Sequence, residues 1–172
     1  MKDFIEIERK YIIEKPEMEK LLSIKGVSVS SIVQIYLEAP TGVTRRIRSR
    51  SYSDGTRYFE TVKRRIDEIS AYEDEREISE AEFIEKSKEI KKGSAPIRKE
   101  RIAFSYNGKT LEIDIYPEWD KTAIMEIELN SRDEEIKVPD FLKIIREVSG
   151  EKQYSNASMS EKFPPEDLWR KN

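Results

Sequence analysis

Phe4-Ile5-Glu6-Ile7-Glu8-Arg9-Lys10-Tyr11-Ile12-Ile13 mixes apolar and charged residues in near-alternation. Successive side chains of a β-strand point to opposite faces. As a strand, the run places Glu6, Glu8 and Lys10 on one face and Ile5 and Ile7 on the other. Taken alone, it reads as a sheet strand with a solvated outer face.

Working outward, the same sorting recurs. Arg46, Arg48 and Arg50 share a face with Ile47 opposite; Thr61, Lys63 and Arg65 follow, then Glu73, Glu75 and Glu77. Lys99 and Arg101 oppose Ile102. Glu112 and Asp114 oppose Leu111, Ile113 and Ile115, and Glu126 and Glu128 oppose Met125, Ile127 and Leu129. A solvated face usually intersperses signs, because like charges close together destabilise it. Here the signs are segregated by strand, with same-face neighbours roughly 7 Å apart. In a closed lumen that repulsion is poorly screened. It becomes tolerable when the acids share divalent cations and the bases share a polyanion. A metal-bound polyphosphate supplies both.

The totals narrow the chemistry. The chain has 172 residues, which suits one domain, residues 1–172, with a helical tail over about 158–172. Charged residues make up 39%, against roughly 25% in ordinary globular domains. The net charge is only −3, which argues against a general nucleic-acid coat. With no cysteine there is no disulfide framework or thiolate metal site. With no histidine there is no His-based triad, imidazole base or histidine zinc site. Any metal must be held by oxygen, which points to Mg²⁺ or Mn²⁺. No long apolar run or signal-peptide pattern appears, so the expectation is a cytoplasmic protein without a membrane partner, monomer or homodimer.

The local signals predict mainly strands. Pro16 opens a short helix through Met18, Leu21 and Leu22, and Gly26 ends it. Ile32–Leu37 reads as a strand with Gln34 and Tyr36 on one face. Val43–Arg50 and Arg57–Arg65 form a hairpin around Ser53-Asp54-Gly55, and Tyr72–Ile78 is a further strand. Ser79 and Glu82 make a capping box for a helix running to about Gly93. Strands near Ile97–Ser105, Thr110–Tyr116 and Ala123–Asn130 follow, with another short one expected towards the C-terminus. Pro139 opens a helix carrying Phe141, Leu142 and Ile145, which Gly150 stops, and a final short helix runs through Leu168 and Trp169. The fold class is α+β, mainly β: an antiparallel barrel with a polar lumen and helices packed outside.

The order of these segments resembles the CYTH superfamily of triphosphate tunnel metalloenzymes. Glu6-Ile7-Glu8-Arg9-Lys10 is similar to its N-terminal ExExK signature, and Gln34-Ile35-Tyr36-Leu37 to its Q-x-Y-L segment. Arg46-Ile47-Arg48, Thr61-Val62-Lys63, Glu75-Arg76-Glu77, Lys99-Glu100-Arg101 and Glu126-Ile127-Glu128 resemble the motifs that follow, and Glu112-Ile113-Asp114 the strand bearing an Asp. Glu147-Val148-Ser149-Gly150, then Lys152, Tyr154 and Asn156, resemble the closing segment. The likeness spans residues 4–157.

The resemblance implies an eight-stranded antiparallel tunnel and reaction at a triphosphate with Mg²⁺ or Mn²⁺. It implies Glu6, Glu8, Glu126 and Glu128 as main metal ligands, with Glu75, Glu77 and Asp114 as further metal or water-orienting acids. Lys10, Arg46, Arg48, Lys63, Lys99 and Arg101 would clamp phosphate oxygens, with Lys152 near the mouth. Glu8 and a Tyr36–Lys10 pair would serve the reaction itself, the pair positioning water. A short chain of this kind resembles the bacterial branch acting on inorganic triphosphate, with nucleoside triphosphates secondary. The cyclases of the superfamily usually carry His-Phe before the signature, which is absent here. The thiamine-triphosphatase relatives add an aromatic contact, and nothing in the sequence places Trp119 at a ring. An adenylyl cyclase or thiamine-triphosphatase-like enzyme stays as the enzymatic alternative, and a non-catalytic binder of triphosphate or another phosphorylated ligand is the alternative of a different class.

Overall fold

The computed structural model describes residues 4–166. Nine strands are formed: β1 (Phe4–Glu14), β2 (Ser28–Leu37), β3 (Val43–Tyr52), β4 (Gly55–Arg65), β5 (Ser70–Ile78), β6 (Ile97–Tyr106), β7 (Lys109–Ile115), β8 (Thr122–Glu128) and β9 (Ile144–Glu147). They run in the order β5-β4-β3-β2-β6-β7-β8-β1-β9, every pairing antiparallel. An additional β1–β5 pairing closes the first eight into a barrel. Closure is brief: Phe4–Ile7 of β1 meet Glu73–Ser70 of β5. The remainder of β1, Glu8–Glu14, pairs with β8 along its other edge.

The partition of residues is inverted relative to a small packed barrel, because the charged faces turn inward. The largest apolar cluster therefore lies against the outside of the wall. Tyr11, Ile13, Ile102, Phe104, Leu111, Ile113, Met125 and Ile127 pack there under α1 (Met18–Leu22) and the segment carrying Leu129, Ile136, Phe141 and Leu142. A smaller outer cluster of Ile35, Leu37, Ile47 and Ile78 is covered by Phe83 of α2 (Glu80–Ser87) and by Ile90.

Towards one end, the inward faces turn apolar. Ile12 continues the Glu6-Glu8-Lys10 face, Ile124 the Glu128-Glu126 face and Ile97 the Arg101-Lys99 face. These three pack with Tyr116, Trp119, Val148, Tyr154, Met159 and Phe163. The plug includes α3 (Asn156–Glu161), capped by Ser155, whose hydroxyl accepts from the Ser158 amide. Trp119 is buried, meets Tyr116 and Phe163 edge-on, and donates its indole N–H to the Pro164 carbonyl.

Two expectations are corrected. The segment from Pro139 is a turn and then β9, not a helix. On the β1 edge that faces β5, pairing with β5 ends at Ile7, and β9 takes Tyr11–Ile13 on that edge. Unpaired buried backbone is costly, so tertiary pairing overrides a helical pattern. Gly150, at φ 76°, marks a close approach to Glu68: a Cβ there would lie 2.9 Å from the Glu68 Cγ. The helix after Ser79 also ends early, at Ser87. Ile90 then bridges to Leu37, and the Lys91 amide donates to the Tyr36 carbonyl. The expected helix at Leu168 and Trp169 lies outside the described residues. No helix among the described residues is long and apolar enough to cross a membrane.

The plug yields a stability prediction. Trp119→Ala removes a fully packed indole and should cost roughly 3–5 kcal/mol. Urea unfolding at neutral pH measures it, and a loss under about 1 kcal/mol would show that the plug does not hold this end of the barrel.

Candidate active site

The lumen is one cavity of about 800 Å³, lined from all eight barrel strands and the plug. β1 contributes Glu6, Glu8 and Lys10; β2, Tyr36; β3, Arg46, Arg48 and Arg50; β4, Thr61 and Lys63. β5 contributes Glu73 and Glu75; β6, Arg101; β7, Glu112; β8, Glu126 and Glu128. Lys152 lines it from the plug. Thus Glu6, Glu8, Lys10, Arg46, Arg48, Lys63, Glu75, Arg101, Glu126 and Glu128 of the charge ladders line one cavity, together with Tyr36 and Lys152, which the family resemblance had added.

Three expected site residues are placed elsewhere. Glu77 is exposed and does not line the cavity. β5 meets the closing strand only as far as Glu73, so Glu77 lies where the wall has lost that neighbour. The carboxylates of β5 that face inward are Glu73 and Glu75, one step earlier on the same face. Asp114 and Lys99 are buried off the cavity, with Lys99 Nζ 2.7 Å from Asp114 Oδ2. Arg101 binds the same carboxylate through Nε at 2.7 Å and Nη2 at 2.8 Å. Asp114 holds a charge although burial alone would protonate it, because Arg101 and Lys99 keep its pKa far below the ordinary value. This trio braces Arg101 from behind.

Glu73 and Glu112 are the acids that motif matching passes over. Strand alternation does signal them, since they share faces with Glu75 and Asp114. Glu112 stands opposite Glu126 across β7–β8, and Glu73 opposite Lys63 across β4–β5.

The two signs meet in ion pairs. Lys63 Nζ sits among Glu6 at 2.9 Å, Glu8 at 3.7 Å and Glu73 at 3.6 Å. Arg48 meets Glu75 at 2.6 Å, Arg46 meets Glu73 at 3.7 Å, and Lys10 meets Glu126 at 3.5 Å. Tyr36 and Lys10, the pair expected to position water, both line the cavity. Lys10 Nζ donates to the Tyr154 carbonyl at 3.0 Å, and the Tyr36 hydroxyl accepts from Gln34.

Lys10, Lys63 and Arg101 reach the wall formed by β1, β7 and β8, with Arg101 2.8 Å from Glu112, but the wall's acids outnumber them. Glu8 stands opposite Glu128, next to the Glu112–Glu126 pair. Burial, then the Glu126 charge, pushes the Glu8 carboxyl up to about 8. Burial, then Glu112, Glu6 and Glu8, raises Glu128 to about 7. Glu126 differs: burial acts to raise it, but Lys10 and Arg101 bring it down to about 2. A carboxylate wall this short of positive charge is suited to a divalent cation, and its donors are all oxygen. The buried Glu73 Oε2 also lacks a hydrogen-bond partner. As placed, no group of three or more acids among the described residues is arranged to hold an ion. The donors fit a hard cation by chemistry, while their present ion pairs direct several of them to lysine and arginine.

A closed antiparallel barrel with opposed cationic and acidic walls defines a tunnel protein suited to a polyanion. The chain belongs to the CYTH family, whose domain signature matches residues 5–163. Among solved structures, the inorganic triphosphatase NE1496 is 24% identical, with a TM-score of 0.59, over 92% of this chain and 96% of that one. A conserved hypothetical protein from Pyrococcus furiosus is 27% identical, with a TM-score of 0.55, over 74% and 80%. The PH1819 protein from Pyrococcus horikoshii OT3 is 23% identical, with a TM-score of 0.57, over 74% and 80%. No curated protein matches the chain in sequence.

The raised carboxyls set the pH response of the metal-free protein. Glu8 and Glu128 bind protons more tightly folded than unfolded, so their contribution to stability is complete below about pH 4.5 and is lost as pH rises through 7 to 8. In EDTA the melting temperature should fall between pH 5 and pH 8, and Glu8→Gln should flatten that fall. A melting temperature that rises over this range in the unmodified protein contradicts the assignment.

Proposed function

We propose that this protein is a metal-dependent triphosphatase that hydrolyses inorganic triphosphate, with nucleoside triphosphates as secondary substrates. The observation that carries the reading is the facing of two walls in one closed lumen. Arg46, Arg48, Lys63 and Arg101 lie on one side of the charge balance, and Glu6, Glu8, Glu126 and Glu128 on the other. An anion binder needs only the first set.

Phosphoryl transfer asks the protein chiefly for positioning and charge stabilisation. Arg46, Arg48 and Arg101 offer forked donors to phosphate oxygens, and Lys63 and Lys10 compact positive charges. Glu75, bonded to Arg48 and to the Thr61 hydroxyl at 2.7 Å, fixes the arginine's plane. Glu6, Glu8, Glu126 and Glu128 would hold Mg²⁺ or Mn²⁺, with Glu73 and Glu112 beside them. Such an ion, when bound, neutralises phosphate charge and lowers the pKa of a coordinated water. Tyr36 lines the same cavity and can donate to a substrate oxygen. Asp114 and Lys99 act from behind Arg101, and Lys152 lies on the plug as a further contact for the anion. The reading is of a cytoplasmic enzyme.

Phosphate release from tripolyphosphate in Mg²⁺ or Mn²⁺, lost in EDTA and restored by metal, is the expected result. Tight binding of tripolyphosphate, ATP and thiamine triphosphate with no release from any of them would leave an anion-binding module instead. Glu8→Gln should lower release by on the order of a hundredfold or more with far-UV circular dichroism unchanged. A fully active Glu8→Gln protein removes Glu8 from the metal set.

A further inference from the structure

Gln34 is a buried polar residue without a part in the reaction above. It lies on β2, two residues before Tyr36 and on the same face. It is fully buried and does not reach the cavity that Tyr36 lines. Its amide Nε2 donates to the Tyr36 hydroxyl oxygen at 2.5 Å. Its Oε1 has no hydrogen-bond partner, and neither has Nε of Arg48. Arg48 stands directly opposite Gln34 on β3, as Arg46 stands opposite Tyr36. An unmatched acceptor and an unmatched donor, both buried, thus sit on opposed residues.

This neighbourhood decides which way the amide faces. A guanidinium carries donors only, whereas an amide offers an acceptor at one corner and donors at the other. Reversed, the amide would turn its NH₂ to the side where its cross-strand neighbour, Arg48, also has only donors to offer, and its oxygen to Tyr36. Arg48 therefore favours the orientation in which Nε2 serves Tyr36. In that bond the phenol oxygen is the acceptor. The single phenol proton is not used by Gln34 and is free to point into the lumen, beside Arg46.

We infer that Gln34 is a positioning residue that holds Tyr36 as a hydrogen-bond donor towards an oxyanion in the tunnel. Tyr36 and Arg46, opposed across β2–β3, then form a joined donor pair for one phosphate group. Tyr36 works by giving a hydrogen bond to the substrate, not by taking a proton from water. The inference rests on the triphosphatase reading.

The test is a double-mutant cycle with Gln34→Met, which removes the amide at similar length, and Tyr36→Phe. With tripolyphosphate, Gln34→Met should lower kcat roughly tenfold to a hundredfold, the size of one hydrogen bond to a charged group. KM should change by less than about twofold. In the Tyr36→Phe background Gln34→Met should have no further effect. Gln34→Glu, whose carboxylate accepts the phenol proton, should lose at least as much, and it replaces Gln34→Met in the cycle if that variant does not fold. Equal losses in both backgrounds, an unchanged kcat, or losses that follow the melting temperature overturn the inference. If the unmodified protein releases no phosphate from any triphosphate, the triphosphatase reading is what has failed. The cycle is then measured on tripolyphosphate affinity by calorimetry, where additive losses again overturn the role of Gln34 and a vanishing second loss upholds it.

Discussion

Four residue pairs, Phe4–Glu73 to Ile7–Ser70, convert an open sheet into a tunnel. Everything inside depends on that seam. It sets Glu6 within 2.9 Å of Lys63, although the two are far apart in sequence. It also withdraws Glu8 from water while β8, on the opposite edge of β1, sets Glu128 directly across from it. Without closure, the same alternating faces would be exposed to water, and their carboxyls would keep ordinary affinities for protons. The seam is short because β1 must also accept β9 further along the same edge, where Tyr11–Ile13 pair with Ile144–Glu147. One strand thus joins both ends of the barrel sequence and anchors the C-terminal segment.

Closure around charge moves the folding problem outside the barrel. Ionised groups withdrawn from water are expensive, and mutual pairing only partly offsets this. Apolar burial must then come from the outer wall, where twelve buried residues gather in the main cluster. Their covering is made from α1 and from the stretch after β8 that carries Ile136, Phe141 and Leu142. The plug serves both purposes. It ends the polar lumen with Ile12, Ile97 and Ile124, and it buries Trp119 and Tyr154. The aromatic residues after β7 are therefore part of the fold's support, and Trp119 has no face open to a ligand.

Much of this was legible in the alternation of charge. The period of two assigns Glu6, Glu8 and Lys10, then Arg46, Arg48 and Arg50, to one face each, and all six line the cavity. Alternation says which face a residue takes but not how far along the strand the wall extends. Glu77 was for that reason grouped with Glu75 and Glu73, although the β1 pairing stops at Glu73. Nor does alternation measure depth: Lys99 is on the same face as Arg101 yet spends its charge on Asp114. The segment from Pro139 failed for a different reason. Phe141, Leu142 and Ile145 fit helical spacing, and only the unpaired edge of β1, a long-range fact, favours a strand there.

The ion pairs that fill the lumen explain why both walls are needed under the proposed function. An anion alone would face Arg46, Arg48 and Lys63 while these are engaged with Glu73, Glu75, Glu6 and Glu8. Drawing the cations away would leave the acids buried without partners. A divalent cation alone would compete with Lys63 for Glu6 and Glu8, leaving the ammonium stranded. Brought in together, the two would offer an external partner to both members of each internal pair. Under the proposed function, the lumen's own pairs thus penalise either species entering by itself and would favour a polyphosphate that arrives with its cation.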